Sequence, residues 1–296
     1  MPEFTYNDNA IREDLSDVIS NLSPRVSTLY TGLGKVKAQN KFHQWLTDSL
    51  KTVATNAQVE AFTPAYAART RPQRVTNWTQ IIDAEVEVSD TERAVLQAGF
   101  SDRFTYELQT KGMPEWINDA EYALMRGAGP VTGTGSAATY MTGLKASVTT
   151  NVTSQSGVSL SENILNDYFQ NVWNGSSEYI DEVYVGGTLK RRISGFTSGT
   201  TKNLDANDKR LVNAVDVYEG DFGVVKLLLH RYITVSGDVG NDIIGIKNSL
   251  YKVAQLRPPH MEPMAKVSDS TRGILVGEIT LEYRNQLASF LGQRHS

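Results

Sequence analysis

The amino-acid sequence predicts an α+β fold. Segments with the 3.6-residue period of a helix and segments with the two-residue period of a strand are mixed along the chain, without a regular βαβ repeat. Hydrophobic residues make up 40% and charged residues 21% of the 296 residues, which is typical of a folded protein rather than a disordered one. The length suits one large domain or two smaller ones, and no internal repeat divides it.

Charge and composition exclude several classes of protein. The 33 acidic residues exceed the 29 basic residues, and the net charge of −4 argues against a dedicated nucleic-acid reader. The absence of cysteine excludes disulfides, thiolate metal sites and a cysteine nucleophile. No apolar run approaches the ~18 residues of a membrane span, and the acidic N-terminus is unlike a signal peptide. We therefore expect a soluble protein, made and used in a cytoplasm, with no membrane partner.

The first 34 residues are predicted to form an arm. Its middle has the pattern of an amphipathic helix that ends at Ser23-Pro24. The apolar residues at helical spacing are Ile11, Leu15, Val18, Ile19 and Leu22. A helix of about a dozen residues is marginal alone in water, so this apolar stripe needs a partner surface. The partner is either another subunit or the chain's own domain, and the pattern leaves both open.

Two extended segments follow the arm, and together they predict a long hairpin. Residues 42–53 and 74–88 both have strand character. In the second segment, one face carries Trp78, Ile82, Ala84, Val86 and Val88, and the other carries Asp83, Glu85 and Glu87. Two strands of about a dozen residues would span ~40 Å, and an isolated hairpin is marginal in water. We therefore expect the hairpin to lie on another surface, such as a second subunit.

The loop that connects these two predicted strands carries basic residues at the end of the hairpin. Pro64 and Pro72 mark it as a loop. Arg69, Arg71 and Arg74 contribute nothing to a core there, so we expect them to pair with acidic groups on a neighbour. Glu85 and Glu87 imitate the paired carboxylates of a hydrolase, but charges on an outer strand face are usually solvated or ion-paired. We therefore assign them a structural role.

Helices and strands are mixed in the remainder. The period changes to helical at Thr91 and the helical pattern ends at Gly127, with an apolar face of Phe104, Leu108, Ile117, Ala120 and Leu124. Gly112-Met113-Pro114 predicts a kink in it or two abutting helices. Gly127–Gly143 is predicted to be a linker or a loose hairpin. Ser159 and Glu162 form a capping box for a helix that ends at Gly175. Its apolar face is predicted to contain Leu160, Ile164, Leu165, Tyr168, Phe169, Val172 and Trp173. The other predicted elements are a strand at 182–186, a helix from 188, and strands at 214–219, 223–233, 242–246 and 274–283.

Motifs that carry chemistry are scarce. The four histidines, at positions 43, 230, 260 and 295, lack the spacing of metal ligands. The serine-hydrolase motif Gly-x-Ser-x-Gly is absent, and the glycine-rich stretch after Gly127 lacks the spacing of a phosphate-binding loop. Lys190, Arg191 and Arg192 favour a solvated helix face, with contact to nucleic acid or an acidic neighbour as the alternative. We expect no catalytic residues, no metal and no cofactor.

A series of short motifs runs from about residue 11 to residue 292. In the N-terminal half they are Arg12-Glu-Asp-Leu15, Ser23-Pro24, Gly34-Lys35, His43-Gln-Trp45, Asp48-Ser-Leu50, Asn56-Ala57 with Glu60, Asn77 with Thr79-Gln-Ile81, Val88-Ser89 and Thr91-Glu-Arg-Ala-Val95. In the C-terminal half they are Val217-Tyr-Glu-Gly-Asp-Phe-Gly223, Leu256-Arg257-Pro258, Ala265-Lys266 and Glu278-Ile-Thr-Leu-Glu282. In this order and spacing they resemble the major head proteins of a family of tailed phages, mostly podoviruses, with the Hong Kong 97-type capsid fold. Ala61 and Thr28 depart from the family pattern, which usually has glycine and often proline near those points.

The resemblance implies a domain organisation for the chain. Residues 1–34 would be the N-terminal arm, and 35–88 the extended loop that overlaps an adjacent subunit. Residues 89–138 would hold the spine helix of the peripheral domain. Residues 139–262 would be the axial domain, and 263–296 the strand that returns to the peripheral domain.

The resemblance also implies the function and the partners. The chain would be a structural subunit that forms pentamers and hexamers of an icosahedral shell around genomic DNA, in a virion assembled in the host bacterial cytoplasm. Candidate inter-subunit contacts are Ile11, Leu15, Ile19, Tyr66, Arg69, Arg71, Arg74, Glu85 and Glu87. Because the sequence starts at Met1, we expect a separate scaffolding protein. A portal, unspecific contact with packaged double-stranded DNA and a decoration protein complete the expected partners.

Two other functions remain open at the level of sequence. A decoration or tail protein would share the dependence on oligomerisation but not the order of the motifs. A hydrolase would use acidic residues of the Asp83–Glu87 strand, although no nucleophile, metal set or cofactor loop accompanies them.

Overall fold

The computed structural model describes residues 27–64, 66, 69–95, 99, 101–196 and 217–296. The chain divides into two compact units. In its described part, the smaller unit contains Asp83–Asn118 and Pro259–Val276. The larger unit contains Ser27–Ile82, Asp119–Pro258 and Gly277–Ser296. Helices and strands are mixed in sequence order, which confirms the α+β prediction. The predicted arm helix, with Ile11, Leu15 and Ile19, lies outside the described residues.

The strands are β1 (Gly34–Lys37), β2 (Phe42–Thr47), β3 (Gln73–Trp78), β4 (Gln80–Ser89), β5 (Ala128–Val131), β6 (Tyr140–Thr142), β7 (Val152–Ser154), β8 (Glu182–Val185), β9 (Val217–Gly220), β10 (Gly223–Leu229), β11 (Asn241–Ile246), β12 (Tyr251–Pro263), β13 (Ser270–Tyr283) and β14 (Phe290–His295). The helices are α1 (Leu29–Gly32), α2 (Asp90–Ala94), α3 (Arg103–Thr105), α4 (Met113–Arg126), α5 (Leu144–Ser147), α6 (Glu162–Ser176) and α7 (Gly187–Phe196). A π-helix spans Tyr106–Gly112, and 3₁₀ turns span Asn248–Leu250 and Gln286–Ala288.

The strands form two larger sheets and two ribbons. One sheet has the order β1-β12-β13-β4, and the other has the order β7-β14-β11-β8-β10-β9. The ribbons are β2-β3 and β5-β6. In the six-stranded sheet β8 pairs with β10 in parallel and with β11 in antiparallel orientation. Parallel and antiparallel pairs are therefore mixed within one sheet, as expected of an α+β fold.

The predicted hairpin exists, but its ladder is shorter than the sequence pattern indicated. β2 and β3 pair from Phe42↔Trp78 to Thr47↔Gln73. Six residues per strand correspond to ~20 Å, not ~40 Å. The second extended segment divides at Thr79: β3 stays in the ribbon, whereas β4 joins the four-stranded sheet. A pattern of alternating residues does not show which strand pairs with which, so it could not reveal this change of partner.

The interruption predicted at Gly112-Met113-Pro114 is a change of helix type. α3, the π-helix and α4 follow one another directly from Arg103 to Arg126, and α4 begins at Met113. This confirms abutting helices. Pro114 is the second residue of α4 and directly follows the π-helix, so the change of helix type falls where the proline lacks its N–H donor. Of the predicted face, Leu108, Ala120 and Leu124 are buried, whereas Phe104 and Ile117 are half-buried.

The core of the larger unit lies where α6 and α7 pack with the six-stranded sheet. Its buried residues include Leu165, Tyr168, Phe169 and Val172 from α6, Leu189 and Ile193 from α7, and Val183, Val185, Val225, Leu227, Ile243 and Phe290 from the strands. Tyr168 stacks on Phe290 with 5.0 Å between the ring centroids. The predicted apolar face of α6 is confirmed except for Trp173, which is 45% exposed.

Both predicted ends of α6 are wrong. The N-cap is Ser161, whose Oγ accepts from the Ile164 N–H, whereas Ser159 Oγ lies 2.9 Å from Ser296 Oγ. The helix continues through Gly175 and ends at Ser177, which has a left-handed backbone with φ 55°. Two serines precede Glu162, and pattern alone cannot choose between them.

The segment predicted to be a linker or a loose hairpin is the β5-β6 hairpin. Gly127 and Gly143 lie at its base, where their backbones approach closely. A Cβ on Gly143 would lie 2.4 Å from the Gly127 nitrogen, a distance that real side chains do not reach. Glycine is needed here for close backbone packing.

Candidate functional site

The β2-β3 hairpin ends in a long connection whose described residues lie outside helices and strands. Residues 48–72 separate the two strands, and those that the structure describes are exposed. Several of them are apolar: Leu50 is 98%, Val53 is 96% and Tyr66 is 95% exposed. Isolated exposed apolar residues are ordinary, but a succession of nearly fully exposed ones marks a surface for a partner. We call residues 48–72 the distal loop.

Asn77 fixes the root of this hairpin by four hydrogen bonds. Its side chain is fully buried. Its Nδ2 donates to the carbonyls of Leu281 at 2.8 Å and Thr142 at 3.1 Å, and its Oδ1 accepts from the N–H groups of Thr142 and Trp78. Because every donor and acceptor is used, the amide holds β3, β6 and β13 in one register.

Two buried glutamates of β13 complete the root. Glu278 accepts from Thr79 Oγ1 at 2.5 Å and pairs with Arg257 at 3.2 Å. Glu282 lies 2.9 Å from His43 Nε2 and 2.7 Å from Arg284 Nε. The hydrogen bond from His43 lowers the pKa of Glu282, and the contribution of Arg284 adds to it against the opposing effect of burial. Trp45 Nε1 also donates to the Tyr283 carbonyl at 3.0 Å. The root is therefore fixed, whereas the described residues of the distal loop make only local hydrogen bonds.

The outward face of β4 is acidic, as the alternation predicts. Ile82 and Val88 are buried, whereas Asp83, Glu85 and Glu87 are exposed. Glu87 accepts from Ser270 Oγ and pairs with Arg272 at 2.8 Å; these contacts, that of Ser270 first, lower its pKa. Among the described residues, Asp83 and Glu85 have no ion-pair partner.

The predicted basic residues of the hairpin lie at its distal end. Arg74 is one residue from the last rung of the ladder, and Arg69 and Arg71 lie beyond it in the distal loop. All three are exposed. The second basic cluster, Lys190, Arg191 and Arg192, has contacts within the chain. Lys190 Nζ donates to the Leu227 carbonyl, and Arg192 donates to the Ser296 carbonyl. Two of its three cations therefore stabilise the chain's own fold.

A buried carboxylate that sequence analysis did not identify holds the start of the described chain. Glu121 of α4 accepts from the N–H groups of Thr28 at 2.8 Å, Leu29 at 2.7 Å and Tyr30 at 2.7 Å. Its side chain is 2% exposed and lies 2.9 Å from His230 Nε2. The Tyr232 N–H donates to Nδ1 of the same ring, which leaves Nε2 facing Glu121.

The electrostatic balance at Glu121 favours the ionised form. Burial by itself raises the pKa of Glu121, but the adjacent His230 ring and the hydrogen bonds from the Leu29 and Tyr30 N–H groups bring it below its usual value. The sequence contains one sign that Glu121 is buried. This acid lies next to Ala120 and Leu124, which belong to the apolar face of the predicted helix.

Chemistry-bearing clusters are sparse in the part of the chain that the structure describes. No group of three or more potential metal ligands occurs there. A polar cavity of about 610 Å³ in the smaller unit is lined by Asp90, Arg93, Asp102 and Lys266, among others. Its charges pair with each other, Arg93 with Asp102 and Lys266 with Asp90. Within the same described ranges, none of the helices has the length and hydrophobicity needed to cross a bilayer.

Comparison with known proteins places this geometry in a family. The chain is similar to solved structures from Mycobacterium phage Cain (TM-score 0.67, 11% identity, covering 100% of this chain and 99% of that one) and Gordonia phage Cozz (0.66, 11%, 97% and 92%). It is also similar to the capsid of a native GTA particle (0.64, 12%, 97% and 96%). At these identities the likeness establishes the fold, which is the Hong Kong 97-type capsid fold expected from the motifs.

Similarity in sequence identifies the family itself. The major capsid protein of Escherichia phage Phieco32 is 31% identical over 125 residues, which are 42% of this chain and 35% of that protein. The aligned part thus covers about a third of that relative's length. The model of the SU10 major capsid protein family matches residues 3–293. The chain therefore belongs to the SU10 major capsid protein family, which confirms the resemblance drawn from its motifs.

Proposed function

We propose that this chain is the structural subunit of an icosahedral phage head, which assembles with copies of itself into pentamers and hexamers around the genomic DNA. Family membership and fold support this proposal. The observation in the molecule that carries it is the distal loop, a long, largely apolar and basic connection that is exposed in one chain. An exposed apolar surface of this kind is typical of sites that bind another molecule.

The segments receive roles within this proposal. Residues 1–34 serve as the N-terminal arm, 35–88 as the extended loop, 89–138 as the peripheral domain with the spine helix, 139–262 as the axial domain and 263–296 as its return strand. Tyr66, the three arginines and the acids of β4 contact neighbouring subunits, as do Ile11, Leu15 and Ile19 of the arm. Contacts of this kind join different surfaces of each copy, and they close into rings when the rotation permits.

The proposed partners follow from the same role. A separate scaffolding protein and a portal take part in assembly in the host cytoplasm, packaged DNA is contacted unspecifically, and a decoration protein binds the finished shell. The protein is structural and not an enzyme. Membership of a capsid family supports this role over that of a decoration or tail protein or a hydrolase.

Deletion of residues 60–73 tests the role of the distal loop. We expect the variant to remain folded, because the root contacts of Asn77, His43 and Glu282 are retained. We expect it to sediment as subunits or capsomers where the wild-type chain forms shells. A companion in which residues 60–72 are replaced by glycine and serine keeps the loop length, and it should also fail to form shells. Shells of normal size from both variants would contradict the role assigned to this loop.

A further inference from the structure

The hairpin and β4 carry opposite charges that are separated along the chain. Between Glu60 and Asp83 the only charged residues are Arg69, Arg71 and Arg74. From Asp83 to Glu87 the only charged residues are the three acids on the outward face of β4. A basic row is therefore followed directly by an acidic row, although the two rows lie on strands that belong to different sheets.

Most charges of the two rows are not neutralised by the part of the chain that the structure describes. Among the residues that the structure describes, the side chains of Arg69, Arg71 and Arg74 form no ion pair, and neither do those of Asp83 and Glu85. Three exposed arginines without carboxylates and two exposed carboxylates without cations leave complementary surfaces unsatisfied. Other charged groups on the same elements differ, since Glu87 pairs with Arg272.

The dimensions of the two rows also match. Alternate residues of a strand lie on one face, so Asp83 and Glu85, the two acids without an ion pair among the described residues, are ~7 Å apart along β4. Arg69 and Arg71 are also two residue steps apart, which is at most ~7 Å of extended chain. Arginine presents a planar fork that suits a carboxylate, so a row of arginines can align with a row of acids of similar length.

We infer that Arg69, Arg71 and Arg74 of one copy bind the Asp83–Glu85 face of β4 in a second copy. The inference rests on the proposed function, and it names the partner surface of the distal loop. Heterologous contacts of this form join the basic row of each copy to the acidic row of the next, so that every copy both gives and receives one contact. The opposite charges guide the encounter and fix its register, while the apolar residues of the distal loop contribute buried area.

Charge reversal in both rows tests this pairing. R69E/R71E and D83K/E85K should each raise the protein concentration needed for assembly, on the order of tenfold at low salt, because like charges then face each other. The combined variant R69E/R71E/D83K/E85K should return to within about threefold of wild type, since opposite charges meet again. The effects should shrink above ~0.5 M salt, where charges on exposed groups are screened.

Matched controls separate pairing from net charge. K226E/R231E makes the same change in charge as R69E/R71E at two exposed cations of the larger unit, and it should leave assembly unchanged. All changed side chains are exposed, so each variant should unfold at the wild-type temperature. An equal defect in K226E/R231E, or a combined variant that assembles no better than its parents, would overturn the inference.

Cross-linking gives a second measurement that does not depend on the energy of pairing. The chain contains no cysteine, so Arg71→Cys with Glu85→Cys provides two thiols in a clean background. A short bismaleimide should join assembled copies into a ladder of multimers on a denaturing gel. Assembled particles that yield only monomers would refute the contact while leaving the proposed function standing. Failure of the wild-type chain to assemble would instead refute the proposed function.

Discussion

Replacement of Glu121 by glutamine tests the buried anchor that holds the start of the described chain. The glutamate supplies two acceptor oxygens: Oε1 accepts from Thr28 and Leu29, and Oε2 accepts from Tyr30. Glutamine has one acceptor oxygen, so its NH₂ group must face at least one of these N–H donors. The variant then loses a hydrogen bond to a charged group, about 1.5–3 kcal/mol, and leaves a buried donor unsatisfied at about 1–3 kcal/mol.

We expect a loss of about 3 kcal/mol in the free energy of unfolding, because the lost hydrogen bond and the unsatisfied donor both act in the same buried site. Urea unfolding of the unassembled subunit measures it. Hydrogen exchange at the Leu29 and Tyr30 amides measures the local effect. Glu115→Gln provides a matched control, because Glu115 lies exposed on the same helix, and it should change stability by less than about 0.5 kcal/mol.

The same substitution has a defined dependence on pH. The pKa of Glu121 is lower in the folded chain than its usual 4.5. The stability that its ionisation contributes is therefore fully present above about pH 4.5 and is lost as the pH falls through the folded pKa. The stability difference between the wild-type chain and E121Q should shrink over that acidic window. A difference that is absent at pH 7, or that grows as the pH falls, would refute the assignment of Glu121 as an ionised anchor.

Two further substitutions test the root and the base of the hairpins. Asn77→Asp removes two donors and directs a carboxylate oxygen at the Leu281 and Thr142 carbonyls. The free energy of unfolding, measured by urea titration, should therefore fall by about 3 kcal/mol. An unchanged unfolding midpoint would contradict the role of the amide. Gly143→Ala forces a Cβ against the Gly127 nitrogen and should cost about 1–3 kcal/mol. Gly135→Ala is its control, because a Cβ there has open space, and equal melting temperatures for the two would count against close packing as the cause.

Local patterns in the sequence predicted what depends on local physics. The alternation of β4 follows from the two faces of a strand, and it correctly placed Ile82 and Val88 inside and Asp83 and Glu85 outside. The apolar face of α6 followed from helical period in the same way. The proline in Gly112-Met113-Pro114 marked a change of helix type at the right place.

Features that depend on distant partners could not be predicted. Glu121 and Asn77 are polar residues whose partners lie between 65 and 204 residues away, apart from the neighbouring Trp78. The strand β12 was missed because Pro258 and Pro259 usually argue against a strand, yet they fall where the strand's burial decreases. The ladder of β2 and β3 was predicted too long, because only tertiary pairing decides that β4 leaves the hairpin for β13.

The central claim is that the chain acts by assembling with copies of itself. Electron microscopy of the purified chain, expressed alone and with the other head proteins of its phage, tests this most directly. The account predicts closed shells of uniform size, in which the distal loop of each subunit lies against β4 of a neighbour. A chain that remains monomeric at high concentration in both preparations, or that forms only tubes, would contradict it.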